Sequence, residues 1–101
     1  MNIEKQLNEK KLDLKVSGRL DTTTAPDLEK ELLDQLKDVE ELYIDFSDLE
    51  YISSAGLRVL LIMLRSLKNR SGMTLRNVSD PVMDILENTG FINMIDNITQ
   101  A

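Results

Sequence analysis

Two adjacent hydroxyls, Ser53 and Ser54, stand directly before the apolar run Ala55-Gly-Leu-Arg-Val-Leu-Leu-Ile-Met-Leu64. Serine is favoured where a helix begins, because the first backbone N–H groups lack intrahelical partners and carry partial positive charge. A phosphate is electrostatically comfortable at such a place. The plainer reading of a serine there is a simple helix cap. The other groups able to do chemistry are the carboxylates of Asp21, Asp45 and Asp48. They could share a magnesium ion, but turn and cap roles suit them better. The chain has no His and no Cys. That excludes, within one chain, a Ser-His-Asp triad, a cysteine nucleophile and the usual zinc sites. No Gly-x-x-x-x-Gly-Lys-Ser/Thr loop occurs, and Ser53-Ser-Ala-Gly56 is too generic to cradle a nucleotide. On the residues alone a helix cap is the favoured role for these serines, and no cofactor and no enzymatic activity of the chain's own are expected.

The elements that must position these groups follow from hydrophobic spacing. Residues 3–7 read as a charged edge strand and residues 8–10 as a turn. Leu12, Leu14 and Val16 then alternate as the second arm of a hairpin that Gly18 ends. Thr24 is placed to cap a helix whose first turn holds Pro26, Asp27 and Glu29. Leu28, Leu32, Leu33 and Leu36 recur at helical spacing, and the helix stops near Asp38. Leu42, Ile44 and Phe46 mark a third strand over 41–46, and a short polar turn leads to the serines. The second helix is expected to reach about Arg70. Its polar stripe, Arg58, Arg65 and Asn69, is interrupted by Leu61 and Ile62, so one turn of its outer face should be apolar. Gly72 closes this region and residues 73–76 form a strand. Ser79 or Asp80 with Pro81 starts a third helix carrying Val82, Ile85 and Leu86, which stops at 88–90. Phe91, Ile92, Met94, Ile95 and Ile98 close the core through a turn and a last edge strand. The order β-β-α-β-α-β-α-β gives an α/β fold: a mixed, mostly parallel sheet of four to five strands with helices packed against it.

With 101 residues, the chain suits one compact domain over 1–101. No segment is long and apolar enough to cross a bilayer, and no secretory signal is visible at the N-terminus, so a cytoplasmic location without membrane insertion is expected. The net charge is −6, and the acids concentrate in residues 1–50, 14 against 7 basic residues. An acidic surface without a basic stripe is a poor match for nucleic acid. Protein partners are expected instead.

Gly18-Arg-Leu-Asp21, the Pro26 helix, Asp45-Phe-Ser47, Tyr51-Ile-Ser-Ser-Ala-Gly-Leu-Arg-Val-Leu-Leu61 and Asn77-Val-Ser-Asp-Pro81 together resemble STAS domains, the anti-sigma factor antagonist family. The resemblance covers nearly the whole chain and implies a STAS fold. It places the phosphorylatable serine at Ser54, with Ser53 as the alternative; Ser53 stands where the family most often has Asp. It implies that Asp21 and Thr22 lie beside the acceptor and that Asp45 helps orient or repel what it carries. Small Ala55 and Gly56 would let a kinase approach, and Arg58, Leu61 and Ile62 would meet partner side chains. The implied partners are an anti-sigma factor that is also a serine kinase and a metal-dependent serine phosphatase that resets the switch, the protein acting as a monomer. The other role that the resemblance allows is a non-enzymatic scaffold or regulatory subunit of a sensory or lipid-transport complex.

Overall fold

A computed structural model of the chain describes residues 1–67, 72–95 and 97–100. Ten elements follow one another: β1 (Asn2–Asn8), β2 (Lys11–Leu20), α1 (Ala25–Leu36), β3 (Glu41–Asp45), β4 (Leu49–Ile52), α2 (Ser54–Ser66), β5 (Met73–Val78), α3 (Asp80–Asn88), a 3₁₀ turn (Phe91–Met94) and β6 (Asn97–Gln100). The sheet runs β1-β2-β3-β5-β6, with β4 paired to β2 off this path. Among the described residues only β1 is antiparallel to its neighbour; the β2–β3, β2–β4, β3–β5 and β5–β6 pairs are parallel. This is the mixed, mostly parallel α/β sheet with helices packed against it that the sequence implies.

Period-two alternation decides which face is covered. Leu12, Leu14 and Val16 on β2, Leu42 and Ile44 on β3, and Met73 and Leu75 on β5 are buried. The residues between them, Asp13, Lys15, Tyr43, Asp45, Thr74 and Arg76, remain partly or fully exposed. Parallel sheets usually carry helices on both faces and read as continuous apolar runs. Here the alternation leaves one face polar, and Arg76 stacks on the Tyr43 ring at 4.2 Å there. The buried face meets Leu28, Leu32 and Leu36 of α1, Leu57, Leu60 and Met63 of α2, and Val82 and Leu86 of α3 in one continuous core.

Three expectations change. The sheet has six strands rather than four or five, because residues 49–52 form β4 where a polar turn was expected. Gly18 does not end β2. Its φ of +88° makes a bulge, a conformation that suits glycine because it has no Cβ. Past the bulge β2 leaves β3, and its last residues, Gly18 to Leu20, pair with β4. The backbone N–H of Gly18 donates to the Asp48 carbonyl at 3.0 Å, and the Lys15 ammonium meets the Asp48 carboxylate at 3.0 Å, so the β3–β4 turn is fastened to β2. The second helix stops at Ser66: Leu67 has extended backbone, ψ 143°, and is buried. Asn69 and Arg70, expected at that helix's end, lie outside the described residues. Smaller shifts follow local chemistry, with α1 stopping at Leu36 and β5 running on to Val78.

Candidate functional site

The parallel pairing of β2 with β4 builds the site. Leu20 pairs with Ile52, so the two strands end side by side, Asp21 following one and Ser53 the other. The Ser53 N–H donates to the Leu20 carbonyl at 2.9 Å, which fixes where α2 begins. Ser53 is the N-cap: its backbone is extended and its Oγ accepts from the Gly56 N–H at 3.2 Å. Ser54 is the first helical residue, and its side chain is exposed. Two neighbouring hydroxyls thus have different surroundings, one committed to the backbone and one open to solvent.

Asp21 organises the turn that follows β2. Its Oδ1 accepts from the N–H groups of Thr23 at 3.0 Å and Thr24 at 3.1 Å. The Thr24 hydroxyl accepts from the Asp21 N–H at 2.9 Å and donates to the Arg19 carbonyl at 2.7 Å. Thr24 therefore holds the turn, and its side chain does not cap α1 as expected. The hydrogen bond from Thr24, with further help from Thr23 and Arg19, holds the Asp21 carboxyl below its ordinary value. Arg19 lies 3.6 Å from the Asp21 carboxylate and stacks on the Tyr51 ring at 4.6 Å. Thr22 is exposed at the tip of this turn.

Asp45 is not brought to the serines. It pairs with Lys15, five residues down β2 from Leu20, about 16 Å along the strand at the usual rise per residue. Partial burial pushes its carboxyl up, but hydrogen bonds from Ser47 and Asn77 outweigh that and leave it low. The Ser47 N–H donates to it at 2.8 Å and the Asn77 amide at 3.3 Å. It lines a polar depression of about 380 Å³ on the open sheet face, away from α2. Asp21 serves the turn after β2, while Asp45 and Asp48 both serve the turn between β3 and β4, and among the described residues no acidic side chains converge in a metal-binding group.

Gly56 is small for an inward reason. A Cβ there would stand 2.8 Å from the Leu20 carbonyl oxygen and 2.9 Å from side-chain atoms of Leu20 and Ile52. Its size lets α2 sit down on β2 and β4, and it is buried there. Ala55 packs partly against the core. Along the outer line of α2, Arg58 and Arg65 are exposed, while Leu61 and Ile62 between them are half-buried.

Leu61 belongs to a shallow apolar groove of about 330 Å³ beside Ser54, walled by Leu57, Arg58, Thr89, Gly90, Phe91 and Met94. The 3₁₀ turn explains its far wall. Side chains three apart eclipse in such a turn, so Phe91 and Met94 face the same way. Phe91 is buried as the floor, and Met94 stands 51 % exposed at the rim instead of closing the core. Ile62 is not among the groove residues. Tyr51, 38 % exposed, and Arg19 complete the surroundings of the serines. Sequence reasoning gives neither residue a role, because the strand that presents Tyr51 lacks the period-two alternation by which strands are recognised.

The STAS domain family model matches residues 2–101. The chain is 30 % identical over 97 residues to an anti-sigma-B factor antagonist of Staphylococcus aureus, spanning 94 % of this chain and 90 % of that protein. Its fold superimposes on the crystal structure of an anti-sigma factor antagonist from Mycobacterium paratuberculosis with a TM-score of 0.85, at 23 % identity and covering 99 % and 86 % of the two chains. The phosphorylated form of SpoIIAA, a Bacillus cell fate determinant, is also similar, with a TM-score of 0.70 at 16 % identity over 95 % and 90 %.

Proposed function

The chain belongs to the STAS domain family, and on that premise we propose that it is an anti-sigma factor antagonist, a single non-enzymatic domain whose binding is switched by phosphorylation of Ser54. The observation that carries this reading is the division between the two hydroxyls: Ser53 caps α2, whereas Ser54 is exposed at the mouth of the apolar groove. The unmodified protein binds an anti-sigma factor that is also a serine kinase, and the sigma factor is released. The kinase transfers the γ-phosphoryl group of ATP to the Ser54 oxygen. The bond to the β-phosphate oxygen breaks, ADP leaves, and the hydroxyl proton is released. A metal-dependent phosphatase later delivers the phosphoryl group to water and restores the hydroxyl.

Magnitudes favour a switch that acts on the interface rather than on the fold. Phosphate adds about −1.5 to −2 units of charge. At a helix N-terminus that charge stabilises the domain by only ~0.3–1 kcal/mol. The same dianion imperfectly paired inside an interface costs roughly several kcal/mol, and a hundredfold loss of affinity needs only ~2.7 kcal/mol. Asp21, held ionised beside the acceptor, adds repulsion once the phosphate is present. Thr22, Arg58, Leu61 and the groove behind them make the contacts that are lost.

Phosphosite mapping by mass spectrometry after incubation with the host's kinase fraction and ATP tests the acceptor. Modification at Ser54 that disappears in Ser54→Ala is expected. Modification that persists in Ser54→Ala and disappears in Ser53→Ala would overturn the assignment.

A further inference from the structure

Ser54 and Arg58 are four residues apart on the 13-residue helix α2, both are exposed, and both border the same groove. Residues at this spacing lie one above the other on a helix surface, and an acid placed N-terminal to a base is the favourable order. Arg19, the other cation near the serines, already faces Asp21 at 3.6 Å and lies on Tyr51. Among the described residues, Arg58 makes no ion pair and no carboxylate borders the groove.

We propose that Arg58 is the residue through which phosphate on Ser54 changes what this surface offers, by exchanging a partner's carboxylate for an intrahelical phosphate. The inference rests on Ser54 as the acceptor. In the unmodified protein a guanidinium stands at the rim of an apolar groove. That combination fits a partner segment with an apolar side chain flanked by an acidic one. Once Ser54 carries phosphate, the guanidinium reaches back one turn and takes the phosphate oxygens in its planar fork. Modification then both adds negative charge at the mouth of the groove and withdraws the cation that faced the partner.

The test installs phosphoserine at position 54 by genetic encoding, so that its outcome does not depend on which serine a kinase selects; phosphosite mapping judges that question separately. The second ionisation of the phosphate is followed by ³¹P NMR in the otherwise wild-type protein and in Arg58→Gln, Arg58→Lys and Arg19→Gln, with ¹H–¹⁵N spectra to verify folding. The pair predicts a lower midpoint in wild type than in Arg58→Gln, by roughly 0.2–0.4 units. Arg58→Lys keeps most of that difference, Arg19→Gln leaves the midpoint in place, and added salt shrinks the effect. Equal midpoints in wild type and Arg58→Gln would overturn the proposal, as would a shift produced by Arg19→Gln alone.

Discussion

Ser53 and Ser54 are chemically identical and adjacent, yet only Ser53 is tied into the helix start. Replacing Ser53 by Ala removes the acceptor for the Gly56 N–H and is expected to cost about 1 kcal/mol of stability. Ser54→Ala removes an exposed hydroxyl and should stay within about 0.5 kcal/mol of wild type. Urea denaturation of the two variants measures the contrast. Asp21 gives a pH signature. Its folded carboxyl is held below its ordinary 3.8 by the hydrogen bond from Thr24 and then that from Thr23. A depressed carboxyl stabilises the fold fully above the unfolded value and loses that contribution as pH falls through the folded value. The stability gap between wild type and Asp21→Asn is therefore constant near neutral pH and closes below pH 3.8, which melting curves across the acid range record. The residue types at the site were legible: two hydroxyls before an apolar run announce a helix start. Which one is open was not, because that depends on where the Leu20 carbonyl fixes the first turn.

At the scale of elements, the serines are positioned by a strand that hydrophobic pattern does not reveal. In β4 Leu49 and Ile52 are buried while Glu50 and Tyr51 between them are exposed. That spacing is not the period-two alternation by which a strand is recognised. The strand exists because β2, bent at Gly18, needs a partner beyond the end of β3. Met94 escaped for a similar reason, since an apolar residue in an apolar segment reads as core until the 3₁₀ geometry turns it outward. The contact between α2 and the β2–β4 pair is tested by Gly56→Ala. Alanine is the better helix former by about 1 kcal/mol, but its Cβ would meet the Leu20 carbonyl oxygen at 2.8 Å. That oxygen also accepts from Ser53. Overpacking wins, and the variant is expected to lose about 1–3 kcal/mol, read as a lower denaturation midpoint.

Over the whole molecule, the strands, helices and covered sheet face follow from alternation and helical spacing, which is why most of the fold was legible. The bulge and β4 were not, since they arise from pairing between segments far apart in sequence. The helices cover one face of the sheet, Asp21 and Ser53 follow the ends of β2 and β4, and the groove from Ser54 to Met94 borders α2, so the proposed change of partner need not disturb the core. Phosphorylation should therefore leave the fold in place: amide shifts confined to the start of α2, the Asp21 turn and the groove, with a small rise in melting temperature. The most direct test is capture of partners from the native host on three immobilised baits: wild type, Ser54→Ala and protein carrying phosphoserine at 54. The switch requires that wild type and Ser54→Ala retain an ATP-binding kinase that the phosphorylated bait does not. Equal retention of the same partner by all three would contradict it and would instead fit a constitutive scaffold or regulatory subunit.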